Sequence, residues 1–196
     1  MKKINLRALC VTAIMGAVSL VLMLLEFPVS FIMPPFIKFD FSELPALITA
    51  FAFGPLYGAA VCLIKNLLHL FITSTAGVGE LANFLLGVCF TVPAGIIYKY
   101  KKTRKGALVA SVSGSAAMAV MSVLVNYFII YPIYAEILLP KEAILGMYQA
   151  ILPSVDNLFE ALVIFNMPFN FVKGMVDAII CFLIYKKLSP ILKKKR

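Results

Sequence analysis

Four polar side chains recur at helical spacing within the apolar segment 162–185: Asn166, Asn170, Lys173 and Asp177. Intervals of four, three and four residues place them on one face of an α-helix. A charge inside a membrane segment needs a partner, a water-filled cavity or a ligand to offset its desolvation. The stripe therefore predicts a binding site at membrane depth. The structural alternative is that Lys173 and Asp177 neutralise each other across one turn, while the asparagines hydrogen-bond to neighbouring helices.

Amides and aromatic rings also occur in two other apolar segments. Asn83 and Phe84 lie in one of them, and Asn126 and Tyr131 lie in another. Together with the stripe, these residues could converge on one cavity in the outer half of a membrane domain. Asparagine in a membrane helix also commonly forms hydrogen bonds between helices, so both roles stay open for each amide.

A second lysine is expected at membrane depth. Lys65 and Asn66 lie near the middle of an apolar segment, and His69 follows Lys65 by one turn. Lys65 is interpreted either as a ligand contact or as an ion-pair strut that supports the site, and we favour the strut. No second histidine or carboxylate cluster accompanies His69, so it is interpreted as a structural or pathway residue and not as a metal ligand.

The composition identifies the elements that must position these side chains. The chain of 196 residues is 62% hydrophobic and 14% charged, with a mean hydropathy of +0.99. These values exclude an ordinary soluble domain and are typical of a polytopic membrane protein. We predict one integral membrane domain over residues 1–196, with an all-α fold. Its expected helices cover approximately 6–25, 44–53, 57–73, 81–98, 107–133 and 162–185, of which the second is short for a spanning helix.

Basic residues form three clusters, near residues 2–7, 99–105 and 186–196. Lys and Arg that flank membrane helices stay on the cytoplasmic side, so an even number of crossings must separate each cluster from the next. A break at Gly54-Pro55, where proline disfavours helix in the preceding residue, gives six transmembrane helices with both termini cytoplasmic. Most of the net charge of +9 is then accounted for by these three cytoplasmic clusters. No basic domain remains that would bind nucleic acid.

The first external loop, residues 27–42, is expected to be ordered. It contains three prolines and then the strictly alternating sequence Ile37-Lys38-Phe39-Asp40-Phe41, which predicts a short extended segment. Such a loop could close over the outer mouth of a site, with Phe39 and Phe41 on one side and Lys38 and Asp40 on the other. The alternative is an interfacial anchor with its rings at headgroup depth.

Several catalytic and metal-binding patterns are missing from the sequence. It contains no G-x-x-x-x-G-K-[ST], H-E-x-x-H or G-x-S-x-G motif, so we predict no enzyme, no catalytic residues and no catalytic cofactor. The cysteines lie in four different apolar segments without a C-x-x-C pair and predict neither a disulfide framework nor a zinc site. They are Cys10, Cys62, Cys89 and Cys181.

Small residues line one side of the first helix, where Ala13, Gly16 and Ala17 form a groove. Such a groove allows a second helix to approach closely. The spacing alone leaves open whether that helix belongs to this chain or to a partner.

Six motifs are spread over nearly the whole chain: Phe39-Asp40-Phe41-Ser42-Glu43-Leu44-Pro45-Ala46-Leu47, Gly54-Pro55-Leu56-Tyr57-Gly58, Leu63-Ile64-Lys65-Asn66, Asn83-Phe84, Asn126-Tyr127-Phe128 and Pro168-Phe169-Asn170-Phe171-Val172-Lys173-Gly174. Together, and in this order, they resemble the riboflavin-specific substrate-binding (S) components of energy-coupling factor transporters. Segment 135–160 has no counterpart that we can match.

The resemblance implies six helices, a vitamin site that opens to the outside, and docking onto a transmembrane coupling subunit that carries two ATPases. Ala13 and Ala17 match the docking motif of the first helix. Polar positions near the flavin are matched by Asn83, Asn126, Asn170 and Lys173.

Riboflavin chemistry fits these side chains. The flavin has a flat apolar ring, an edge with carbonyl acceptors and one N–H donor, and a chain of hydroxyls. Amides supply donors and acceptors, and Lys173 supplies donors only. Rings and aliphatic groups would supply most of the binding energy. The expected site comprises Asn83, Asn126, Asn170, Lys173, Phe39, Asp40, Phe84 and Tyr131, with Lys65 and Asn66 as structural or pathway residues.

The sequence therefore predicts a high-affinity riboflavin-binding subunit in the cell membrane. Lys173 or Lys65 could equally attract a phosphate, so flavin mononucleotide is a second possible ligand, and another vitamin is a third. A membrane-embedded enzyme acting on a lipid or isoprenoid would require paired acids or a metal cluster, which the sequence does not offer. A channel would require a polar lining through the inner halves of the helices, which are almost entirely apolar.

Overall fold

A computed structural model describes residues 5–193, and the side chains of residues 5–184. The basic clusters at residues 2–3 and 186–196, on which the predicted orientation of the termini depends, lie outside these described side chains. Helix α1 covers Leu6–Leu24 and begins at Asn5, whose Oδ1 accepts a hydrogen bond from Ala8 N at 3.2 Å.

Helix α1 divides the small-residue groove between two faces. Gly16 is buried against α3, where a Cβ atom would lie 2.5 Å from Ile64 Cγ2. Ala13 and Ala17 are exposed on a neighbouring face of the helix. The first helix thus packs within the chain through Gly16, while the two alanines face outward.

Loop 27–42, which the sequence predicts to be the first external loop, is an ordered antiparallel hairpin. Strand β1, Phe27–Pro28, pairs with β2, Lys38–Phe39, so that Phe27 is opposite Phe39. The extended segment predicted by the alternating sequence is therefore present. Beyond β2 the chain enters the protein, where Asp40 and Ser42 are buried and Asp40 Oδ1 accepts a hydrogen bond from Ser42 N at 2.7 Å.

Helices α2 and α3 form a tight hairpin. Helix α2 covers Glu43–Phe53, and α3 covers Pro55–His69 and continues into a 3₁₀ turn at Leu70–Ile72. Gly54 joins them with φ of 116°, a conformation that glycine adopts without steric cost. The predicted break at Gly54-Pro55 is present. The first nine residues of α2 are all buried, so this short helix forms part of the core.

The remaining spans are longer than their apolar segments. Helix α4 covers Val78–Tyr100. Helix α5 covers Arg104–Val125 and continues through a π-helical turn at Asn126–Ile130 into α6, Tyr131–Ile137. The last span consists of α8, Leu158–Ala161, a second π-helical turn at Leu162–Asn166, and α9, Met167–Lys193. Polar and charged residues at these helix ends explain why the apolar pattern predicted shorter helices.

Segment 135–160 contains a helix that the sequence did not predict. Helix α7 covers Lys141–Gln149, and its Ile144 and Tyr148 are buried. They join an apolar cluster with Val155 and Leu162. A second cluster lies between α2, α4, α5 and α9 and includes Leu47, Phe90 and Met118. Helix α7 is therefore packed against the spans.

Within the described residues, five helices are long and apolar enough to cross a membrane. They are Leu6–Leu24, Pro55–Ile72, Val78–Tyr100, Arg104–Ile137 and Leu158–Ile184. Helix α2 is a shorter apolar helix. The chain is thus a multi-pass, largely α-helical membrane protein, and the count of six crossings stays a prediction.

Candidate functional site

A cavity of about 450 Å³ lies among the first external loop, the end of α3, the start of α4 and the two spans that contain π-helical turns. A volume of a few hundred Å³ is typical of small-molecule sites. Its wall includes six of the residues expected from the sequence: Asp40, Asn83, Asn126, Tyr131, Asn170 and Lys173. The wall also includes Met23, Phe36, Ile37, Leu86, Ile130 and Phe169, which supply apolar surface.

Phe39 and Phe84 were expected at the site but are not among the residues that line this cavity. In the β2 segment, Lys38 and Asp40 line the cavity, so the alternation turns Phe39 the other way, against Phe27 and Phe169. On α4, consecutive side chains point about 100° apart. Asn83 faces the cavity, and Phe84 instead packs against the cluster that contains Val61.

Lys173 is buried in the cavity wall between two carboxylates. Its Nζ lies 2.8 Å from Asp40 Oδ2 and 3.0 Å from Glu43 Oε2. These acids belong to the first loop and to the start of α2. Asp177 is buried too, and neither of its carboxylate oxygens has a hydrogen-bond partner among the described residues. Lys173 therefore pairs with Asp40 and Glu43, and not with Asp177 as the structural alternative proposed.

The environment of Asp40 favours its charged form. Burial alone would raise the pKa of Asp40, but the nearby ammonium groups of Lys173 and Lys65, and the hydrogen bonds from Lys173 and Ser42, lower the pKa to about 2. Asp40 is therefore an anion at neutral pH, as its ion pair with Lys173 requires.

Lys65 has the contacts of a strut. It is fully buried, donates to Ser42 Oγ, and lies 2.7 Å from Glu43 Oε1. Lys65 is not among the cavity-lining residues. Glu43 accordingly bridges the two buried lysines, one through each carboxylate oxygen. Sequence reasoning missed Glu43, although two lysines at membrane depth required acidic partners and Glu43 lies within the same motif as Asp40.

Asn66 supports a cavity residue without lining the cavity itself. Its Nδ2 donates to Cys62 O at 2.8 Å and to Asn83 Oδ1 at 3.3 Å. Because Asn66 engages the carbonyl oxygen of Asn83, that amide presents its N–H groups in other directions.

A polar group lies where α3 ends and α4 begins. His69 Nδ1 is 2.7 Å from Glu80 Oε1, and Thr73 and Thr75 donate to Glu80 Oε2 at 2.9 and 3.1 Å. His69, Thr75 and Glu80 all line the cavity. His69, which the sequence interprets as a structural or pathway residue, thus forms part of the cavity wall together with Glu80. The described residues contain no group of three or more His, Cys, Asp or Glu side chains that could hold a metal ion.

A buried triangle of hydrogen bonds joins the two spans with π-helical turns to α7. Tyr148 OH donates to Asn166 Oδ1 at 2.6 Å, Tyr131 OH and Tyr148 OH are 2.6 Å apart, and Asn166 Nδ2 lies 3.5 Å from Tyr131 OH. Burial is the main reason that the pKa of Tyr148 lies well above its usual value, so the phenol keeps its proton. Tyr131 and Asn166 line the cavity.

Asn170 lies one turn after Asn166 on the same face. Its Nδ2 donates to Asn166 O at 2.8 Å, which uses one of its two N–H groups. The site as a whole thus combines amides, the ammonium groups of Lys38 and Lys173, carboxylates and apolar surface around one cavity. Such a wall can bind an uncharged molecule that has both a flat apolar part and several hydrogen-bonding groups.

Comparison with known proteins gives consistent similarities over the full chain. Residues 7–185 match the family model of the ECF transporter, substrate-specific component. The chain is 33% identical over 196 residues to the riboflavin transporter RibU of Staphylococcus aureus strain TCH60, covering 98% of this chain and 97% of that protein. It is 35% identical over 195 residues to the riboflavin transporter FmnP of Bacillus subtilis strain 168, again covering 98% and 97%.

A solved structure shows the same fold. It is described as the S component of a bacterial ECF transporter, and it superposes with a TM-score of 0.75 at 32% sequence identity. The similarity covers 97% of this chain and 99% of the other.

Proposed function

Because this chain belongs to the family of substrate-specific components of ECF transporters, we propose that it is the riboflavin-binding subunit of such a transporter. The observation that carries the proposal is the cavity, whose wall combines four asparagines and Lys173 with aromatic and aliphatic side chains. Relatives with 33% and 35% identity over nearly their whole length are named riboflavin transporters.

Riboflavin needs both kinds of surface that this wall offers. Its ring system would pack against apolar residues such as Phe36, Leu86 and Phe169, which supply the larger part of the binding energy. Amide groups can meet the carbonyls and the N–H of the ring edge. The hydroxyl chain needs further donors and acceptors, and His69 and Glu80 supply them in the same wall.

The charges in the wall favour riboflavin over flavin mononucleotide. Lys173 is already paired with Asp40 and Glu43, and a phosphate beside it would meet both carboxylates. Lys38, which also lines the cavity, is paired with Glu26, and Lys65 is fully buried and outside the cavity wall. An uncharged ligand avoids this repulsion, so flavin mononucleotide is the second candidate.

The family assignment extends the proposal to partners and topology. We propose that the chain crosses the cell membrane six times with both termini in the cytoplasm. It docks through Ala13 and Ala17 on a transmembrane coupling subunit, and two ATPase subunits of the same complex supply the energy for uptake. The chain itself has no catalytic role in this scheme. The exposure of both alanines on α1 supports the docking surface.

The absorption spectrum of protein purified in detergent tests the proposal directly. Bound flavin should colour the protein yellow, and removal of the flavin should yield protein that riboflavin titrates to one equivalent. Flavin mononucleotide, thiamine and biotin are tested as competitors at the same concentrations. Saturable binding of another vitamin, with no effect of riboflavin, would reject the proposed substrate while leaving the family assignment intact.

A further inference from the structure

Helix α7 contributes no residue to the cavity wall among the residues described, yet Tyr148 on this helix contacts two residues that do. Tyr148 is fully buried although it lies in a segment that connects two spans. The hydroxyl of such a buried tyrosine requires a partner, and here it has two. We propose that Tyr148 is a positioning residue for substrate binding, acting through Tyr131 and Asn166.

The three hydrogen bonds of the triangle can form a ring in which each group donates to the next. Tyr148 donates to Asn166 Oδ1, so its oxygen accepts from Tyr131 OH, and Tyr131 oxygen in turn accepts from Asn166 Nδ2. Each group then donates once within the ring. This arrangement fixes the orientation of the Asn166 side-chain amide. It uses the Oδ1 atom and one of the two N–H groups on Nδ2. The second N–H remains for the cavity that Asn166 lines.

The backbone on both sides supports this role. Asn166 is the last residue of one π-helical turn, and Tyr131 directly follows the other. A π-helical turn inserts an extra residue and so rotates the side chains that follow it, and such turns occur frequently at functional sites. Tyr148 thus joins the two spans at the level where both depart from regular α-helix.

The surrounding contacts make α7 part of a larger outer wall. Ile144 and Val155 are buried with Tyr148 in the same apolar cluster, which fixes α7 against the spans. On its other side, Tyr131 packs edge-to-face with Phe36 of the first loop, with ring centres 6.2 Å apart. Tyr131 therefore receives contacts from both external segments. A change at α7 is expected to alter the cavity wall without any direct contact between α7 and the substrate.

The inference rests on riboflavin binding as proposed above, and substitution of Tyr148 tests it. Tyr148→Phe removes the hydroxyl and keeps the ring in its apolar cluster. We expect riboflavin affinity to fall about fivefold, the effect of losing roughly one net hydrogen bond. Tyr127→Phe is the matched control, because Tyr127 is partly exposed and lies outside the cavity wall. Its affinity should equal that of the unmodified protein.

A double-mutant cycle distinguishes positioning from general support of the fold. If Tyr148 acts through the Asn166 amide, Tyr148→Phe should cause little further loss of affinity in an Asn166→Leu background. Independent, additive losses would overturn the proposal. So would unchanged affinity in Tyr148→Phe when Asn166→Leu binds more weakly.

A measurement on the unmodified protein covers the case in which the variant does not fold. Because coupling is reciprocal, bound riboflavin should slow backbone amide exchange in α7, residues 141–149, as followed by mass spectrometry. Unchanged exchange in α7 at saturating riboflavin rejects the inference alone. Failure of the unmodified protein to bind riboflavin at all rejects the proposed function, and the inference with it.

Discussion

Lys173 shows how a charged side chain can be both structural and available to a ligand. An ammonium group has three N–H donors, and Lys173 donates to Asp40 Oδ2 at 2.8 Å while its Nζ lies 3.0 Å from Glu43 Oε2 as an ion pair. At least one donor is left on a side chain that lines the cavity. The carboxylates offset the desolvation of the ammonium group. A remaining N–H can therefore be directed at a neutral acceptor such as a ring carbonyl.

We predict that Lys173→Ala and Asn170→Leu each weaken riboflavin binding at least about tenfold, equivalent to about 1.4 kcal/mol. Each change removes donors from the cavity wall and leaves an acceptor of the ligand without a partner. Fluorescence titration of the purified variants measures the affinity, and their melting temperatures show whether they are folded. Lys99→Ala, at the inner end of α4, is the control and should bind normally. Normal affinity in both site variants would remove these residues from the site.

Asp40 gives a prediction for the dependence of stability on pH. Its pKa in the folded protein is about 2, below the value of about 3.9 in an unfolded chain. The charged form therefore stabilises the fold above pH 4, and this contribution is lost as the pH falls from about 4 to 2. We expect Asp40→Asn to lower the melting temperature at pH 7, with the difference from the unmodified protein shrinking as the pH approaches 2.

The control for this measurement is Asp156→Asn, which removes an exposed carboxylate from the outer segment. It should leave the melting temperature nearly unchanged across the same pH range. A difference between Asp40→Asn and the unmodified protein that stays constant from pH 7 to 2 would show that the Asp40 charge does not contribute as we infer.

Among the elements, helix α2 is notable for its short length and for the loop that leads into it. Eleven residues of α-helix extend about 17 Å, roughly half of the 30 Å hydrocarbon core. The chain that leads into α2 is buried at Asp40 and Ser42, so α2 is entered from inside the protein and not from its surface.

Local sequence patterns predicted the break at Gly54 and the extended segment at Phe39, because each depends on neighbouring residues. They did not predict the two π-helical turns, since a single extra residue hardly alters an apolar pattern. Helix α7 was missed for a different reason. It buries only Ile144 and Tyr148, and most of its other residues give no sustained apolar face.

The outward face of α1 leads to a prediction about transport. Ala13→Leu combined with Ala17→Leu should abolish riboflavin uptake in cells that contain the complete transporter and leave binding by the purified subunit intact. Bulky side chains would keep the coupling subunit from approaching the helix. Uptake of labelled riboflavin and titration of the purified protein measure the two effects. Loss of binding would show that this face packs within the chain.

The control for α1 is Ala116→Leu, which adds the same volume to an exposed position on α5. It should preserve both uptake and binding. If Ala116→Leu also abolished uptake, the loss in the α1 variant could not be attributed to the alanine face.

At the scale of the whole molecule, the site depends on contacts between residues that are distant in sequence. Lys173 and Asp40 are separated by 133 positions, and Asn66 meets Asn83 from a neighbouring helix. The sequence identified the lysines and amides as unusual within apolar segments. It could not identify Glu43 as the bridge between the lysines or Tyr148 as the third member of the triangle, because both assignments depend on how the helices pack.

Labelling of single cysteines can distinguish a topology with six membrane crossings from one with five. With six, residues 2 and 102 lie on the same side of the membrane and residue 156 on the other; with five, residues 2 and 102 lie on opposite sides. Single cysteines at these positions, in a protein whose four native cysteines are replaced by alanine, are treated in intact cells with a maleimide that cannot cross the membrane.

Only Asp156→Cys should react in intact cells, whereas Lys2→Cys and Lys102→Cys should react after the cells are permeabilised. The expectation follows from the basic clusters, which stay cytoplasmic because moving Lys and Arg across the bilayer is costly. Retained riboflavin binding by each variant serves as the control for correct insertion. Labelling of Lys102→Cys in intact cells, with Lys2→Cys protected, would mean that α2 and its preceding loop enter and leave the membrane on one side, and the cavity would then need a different route to the exterior.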